Sequence, residues 1–182
     1  MSTVVAPLVS FRWRSWLGAA VVIFVINGLV NILAAIVVPL SLSLGGAGAL
    51  GGGGVVFSGD GDAVLLGRPL EVLRQTDPKL DALLVSSMLG MCSQMMQFAV
   101  VALGLAWFAL RRGERWAFWF LVVGSLIGVP YYVIIAATYA AHGAPASGLL
   151  AFLPFWAVPI AGLVVGFIGL RRAGIALDRA AT

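Results

Sequence analysis

Four stretches of this chain, residues 17–40, 82–110, 116–141 and 148–170, contain no Asp, Glu, Lys, Arg or His and run for 24, 29, 26 and 23 residues. A helix needs about 20 apolar residues to cross the hydrocarbon of a bilayer. No other sequence feature restricts the fold so strongly. The backbone of such a stretch must satisfy its own hydrogen bonds in lipid, which leaves helices or a closed barrel. Barrel strands alternate apolar and polar side chains, and these stretches do not. The sequence therefore predicts an all-α polytopic membrane protein, a single domain over residues 1–182 with four transmembrane helices.

Composition agrees. The chain has eleven Lys and Arg and seven Asp and Glu in 182 residues, so 10% of it is charged. A soluble domain carries about 25%. The net charge of +4 has a topological explanation, and nucleic acid is not an expected partner. The one cysteine, Cys92, excludes an internal disulfide and falls inside the second stretch.

The basic residues cluster at particular stretch ends. Arg12 and Arg14 precede the first stretch, Arg111, Arg112 and Arg115 separate the second from the third, and Arg171, Arg172 and Arg179 follow the fourth. The turn "AHGAPAS" between the third and fourth has no Lys or Arg. The long loop 41–81 has three, Arg68, Arg74 and Lys79, among Asp60, Asp62, Glu71, Asp77 and Asp81. Short cytoplasmic loops hold Lys and Arg, so both termini and the Arg111–Arg115 loop are expected inside, and loop 41–81 outside. Trp13, Trp16, Trp107, Trp116 and Trp119 stand beside the basic clusters, where indoles favour the headgroup level. Trp156 lies within the fourth stretch and is expected to pack on a neighbouring helix. The expected location is a bacterial cytoplasmic membrane.

Arg12, Arg14, the first stretch and Ala47-Gly48-Ala49 have the outline of a secretory signal. The apolar run exceeds the roughly 7–15 residues of a signal core, so no cleavage is expected. Nine glycines between Gly45 and Gly61 predict a flexible segment. Pro69 is placed to open a short helix with Leu70, Val72 and Leu73 on one side, and Asp77-Pro78 to start the second span. Asp77 and Asp81 suit the positive end of that helix.

Catalytic machinery is not legible. Ionisable groups mark proton relays and coupled transporters, and the four stretches have none. No nucleophile–base set, carboxylate pair or Cys/His metal spacing can be assembled, so neither an enzyme nor a metal or cofactor is expected. Asp60 and Asp62 lack the further ligands a calcium site needs. Met88, Met91, Met95 and Cys92 offer soft sulfur, but methionine is also ordinary packing material.

Neutral polar residues form the candidate site. Asn27 and Asn31 are one helical turn apart, and Ser86, Gly90, Gln94 and Gln97 form a stripe with Ser93 beside it. Tyr131 and Tyr132 follow Pro130. Polar groups in lipid turn inward to bond each other. Asn27, Asn31, Gln94 and Gln97 are thus expected to face the interior. There they act as helix–helix glue or, with Tyr131 and Tyr132, line a pocket for a small amphiphile such as a lipid or quinone. The favoured role is a non-catalytic accessory or assembly subunit that associates with the bilayer and with a membrane-protein partner or its own copies. A carrier or sensor of the amphiphile is the alternative.

"WFALRRGER" and "FIGLRRAGI" end the second and fourth stretches, a faint echo that fits a parallel duplication of two hairpins or two unrelated helices ending in arginine, of which the second is favoured. "RGERWA", after "DPKLDALL" and a span containing Gly and Ser, resembles a loose group of small uncharacterised bacterial membrane proteins. These share four helices, a long first outside loop with a D-P-x-L turn and an R-x-G-E-R-W-A loop. The resemblance covers mainly residues 69–125 and implies the topology above, with no activity attached. The topology is also similar to that of claudin-like tetraspans, but their paired outside cysteines are absent.

Overall fold

Apolar length and internal backbone bonding give long helices. The computed structural model describes residues 12–45, 59–145 and 153–180. Helix α1 is Trp16–Gly45, α2 Gly59–Leu66, α3 Leu70–Thr76, α4 Pro78–Gly104, α5 Arg115–Leu126, α6 Val129–Ala141 and α7 Leu153–Ala180. No strand occurs among the described residues. Three helical segments, Trp16–Gly45, Lys79–Arg112 and Arg115–Ala141, are long and apolar enough to cross a membrane.

Local chemistry sets the boundaries. Pro69 precedes α3, and Pro78 occupies the first turn of α4, where its missing N–H costs nothing. The Asp77 carboxylate caps α4 by accepting from the Lys79 N–H at 2.9 Å. Between α5 and α6 the chain breaks at Ile127–Gly128, just before Pro130. The proline cannot donate to the Leu126 carbonyl and its ring crowds that oxygen. Pro39 and Pro159 are instead carried inside α1 and α7, as spanning helices tolerate when neighbours re-satisfy the freed groups.

The glycine-rich segment departs from expectation. Helix α1 runs on to Gly45, and α2 begins at Gly59, so residues 59–62 are helical rather than flexible. Asp62 explains part of this: its burial against α6 holds the short helix in place. The remainder of the glycine run, the Ala47–Ala49 segment and the start of the stretch 148–170 lie outside the described residues.

Beyond α4 the chain widens into a π turn, Leu105–Ala109, then tightens into a 3-10 turn, Leu110–Arg112. Gly113 stops the helix at φ 79°, a left-handed conformation that favours glycine. Its N–H donates to the Leu110 carbonyl at 2.9 Å, and the Glu114 N–H to the Ala109 carbonyl at 3.2 Å. Together these bonds make a Schellman stop. The irregular turns place Ala106, Ala109 and Leu110 in the core.

That core lies at the arginine-bearing end. Leu17, Val21 and Phe24 of α1 meet Ala102 of α4, Ala106, Ala109 and Leu110 beyond it, and Ala117, Phe118 and Leu121 of α5. Helix α1 is central, packing on both α4 and α7. Lipid tails are as apolar as leucine, so close contact rather than burial from water holds such helices. Small residues supply it. A Cβ on Gly169 would lie 2.6 Å from the Leu17 backbone nitrogen, and one on Gly28 would lie 3.4 Å from the Ala99 carbonyl.

Candidate functional site

The polar residues singled out in the sequence fall into two groups. Asn27 and Asn31 are half-buried on α1. Gln94 and Gln97 are exposed, as are Ser86, Gly90 and Ser93. The expectation that the whole stripe points into the bundle is therefore corrected for α4. The physical reason is competition between two faces of one helix. Cys92, Ala99 and Ala102, continued by Ala106 and Ala109, are buried. At about 3.6 residues per turn, this small-residue face lies opposite the glutamines. Alanines allow the backbone of α4 to approach α1, and the bulky amides are left outside.

The amide bonds that form run along single helices. Asn31 Nδ2 donates to the Asn27 carbonyl at 2.7 Å, and Gln97 Nε2 to Ser93 Oγ at 3.4 Å. Tyr131 is 69% exposed. Tyr132 is exposed and meets Trp156 edge-on, with ring centroids 5.2 Å apart. Trp156 thus packs on α6, as its position within the fourth stretch suggests.

A second constellation gathers tryptophans and arginines. Trp13 and Trp107 lie 6.1 Å apart, bringing the approach to α1 against the end of the second span. The Arg111 guanidinium sits 4.8 Å over the Trp107 ring, and that of Arg172 sits 5.0 Å over Trp16. Trp116 donates its indole N–H to Glu114. Residues from three of the basic clusters therefore meet at one end. The two Leu-Arg-Arg segments differ in local structure, since the first is a 3-10 turn before Gly113 and the second stays α-helical.

Sequence reasoning missed a buried polar pair. Asp62 and Tyr139 are 5% and 4% exposed, and the tyrosine hydroxyl donates to Asp62 Oδ1 at 2.5 Å. It also missed Gly162, Gly166 and Gly169, the face of α7 against α1 and α5. The small-xxx-small spacing of Gly162 and Gly166, with Gly169 one turn further on, was the available signal. Among the described residues, no group of three His, Cys, Asp or Glu is placed to hold a metal ion.

These features define an all-helical membrane protein by length and composition of its helices. No protein-family model, curated protein or solved structure matches the chain.

Proposed function

We propose that this chain is a non-catalytic, four-span protein of a bacterial cytoplasmic membrane, with both termini inside, that works by lateral assembly as an accessory subunit. The fourth span is assigned to α7, which is uncharged from Leu153 through Leu170. The inside assignment rests on the basic clusters and their tryptophans.

The observation that carries the assembly reading is the exposure of Gln94 and Gln97 on α4. Inter-helix polar bonds in membranes are worth roughly 0.6–2 kcal/mol. A glutamine stripe facing acyl chains forgoes that stabilisation, and a neighbouring helix with its own polar groups supplies it. The pocket reading requires the amides to converge, whereas the bonds they form run within α1 and within α4.

A photo-crosslinking residue at position 94, introduced in cells, tests this. The expected product is a discrete adduct with one larger membrane protein. An adduct only with a second copy of the chain would replace the accessory role with a homo-oligomer. Lipid adducts alone would reject lateral assembly.

A further inference from the structure

We infer that the tryptophan–arginine end of the bundle binds the phosphate of an anionic phospholipid headgroup, with Arg111 and Arg172 as its principal contacts. Seven arginines stand here: Arg12 and Arg14 before α1, Arg111, Arg112 and Arg115 between α4 and the body of α5, and Arg171 and Arg172 beyond the uncharged run of α7. Glu114 is the one carboxylate among the described side chains of these segments, and it accepts the Trp116 indole N–H. The charge imbalance calls for an anion.

Two of the arginines are held in a manner that suits phosphate. Arg111 lies over Trp107 and Arg172 over Trp16, at 4.8 and 5.0 Å from the ring centroids. The indole contact restricts the long arginine side chain, leaving less freedom to lose on binding. The planar guanidinium presents paired N–H donors that match two phosphate oxygens. Arg111 comes from the end of the second span, Arg172 from α7 and Trp16 from α1, so the contacts belong to the folded bundle.

The source of the phosphate follows from position. Arg12 and Arg14 precede a helix long enough to span, Arg111, Arg112 and Arg115 join two more, and Arg171 and Arg172 follow the uncharged part of α7. Trp13, Trp16, Trp107, Trp116 and Trp119 beside them are all exposed. Indoles exposed there favour the headgroup layer. A lipid whose phosphate meets the guanidiniums also lays its acyl chains along the exposed faces of the spans. A free phosphate gains no such contact.

The test is native mass spectrometry of the delipidated full-length protein titrated with phosphatidylglycerol or with phosphatidylcholine of the same chain length. Wild type is expected to retain phosphatidylglycerol selectively. Each arginine near an anionic surface is worth about fivefold. The double variant Arg111→Gln, Arg172→Gln should therefore weaken retention roughly tenfold or more, while Arg112→Gln, Arg115→Gln should weaken it less. A further double variant, Arg111→Lys, Arg172→Lys, keeps the charge without the planar fork and should retain less lipid than wild type. Equal retention of the two lipids by wild type would overturn the proposal. Equal losses in the two glutamine variants would reduce the site to diffuse charge and overturn it as well. Wild-type retention by the lysine variant would remove the role of the planar fork. Inorganic phosphate is expected not to displace the lipid, and displacement at matched concentration would reject the lipid as the source.

Discussion

Tyr139, near the end of α6, donates a hydrogen bond of 2.5 Å to Asp62 in α2, 77 residues earlier in the chain. Both side chains are buried. The bond fastens the segment after the glycine run onto the Arg115–Ala141 span, and it accounts for ordered helix where composition predicts flexible chain. Polar groups are buried only at a cost of desolvation, which their partners must offset.

Tyr139→Phe should therefore loosen α2. Removing one member of a buried hydrogen-bonded pair costs about 1–3 kcal/mol. Hydrogen exchange over Gly59–Leu66 should accelerate by one to two orders of magnitude, with the spans unaffected. Unchanged protection across α2 would show that other contacts of the segment suffice to hold it.

Topology can be read by labelling single cysteines with a membrane-impermeant reagent, in a Cys92→Ala background. Gln75 and Arg112 are both exposed. Gln75→Cys should label from outside and Arg112→Cys only after the inner side is opened. Gly113 is a poor probe position, because its φ of 79° strains any residue with a side chain. Labelling of both sites from one side would contradict the proposed arrangement.

Neutralising Arg111, Arg112 and Arg115 together leaves Glu114 as the only charge in the loop between the second and third spans. Part of the population should then insert wrongly, while single changes do little, because the bias sums over loops. Protease protection of loop 41–81 in sealed inside-out vesicles, where an outside loop faces the lumen, measures the misinserted fraction. Full protection in the triple variant would show that these arginines do not set orientation.

The helices were legible because each long apolar run has one stable solution in lipid, and Pro69 and Asp77-Pro78 mark helix starts by local chemistry alone. The break before Pro130, inside the stretch 116–141 read as one span, was not anticipated. Nor was the facing of α4. Its sequence offers two stripes, Ser86–Gly90–Gln94–Gln97 and Cys92–Ala99–Ala102, and periodicity does not say which one packs. Gly28 on α1 decides, since close approach there requires the alanine side. The tryptophans beside arginines could be read as an interface belt from order alone, but their pairing needed the fold: Trp16 and Arg172 are distant in sequence and stack in space. Asp62 with Tyr139 is likewise a long-range pair, and the glycines before Asp62 hide the short helix that carries it.

The glycines of the spans provide a graded test of how tightly α7 seats on the bundle. A Cβ at position 169 would stand 2.6 Å from the Leu17 nitrogen, a backbone atom that cannot step aside without moving α1. At position 166 the nearest obstacle, 2.9 Å away, is the ring edge of Phe118, which a small rotation relieves. At position 90 nothing lies within 4 Å. Gly169→Ala should therefore be the most damaging, at about 1–3 kcal/mol for overpacking a close contact. Gly166→Ala should cost less. Gly90→Ala should be neutral or stabilising by up to about 1 kcal/mol, because alanine lowers the entropy lost on forming a helix. Thermal unfolding in detergent, followed by the fraction remaining monodisperse on size exclusion, ranks the three. The order 169, then 166, then 90 from least to most stable is the expected result. If Gly169→Ala were as stable as Gly90→Ala, helix α7 would not rest against the start of α1. The Arg172–Trp16 contact that depends on this seating would then lose its support.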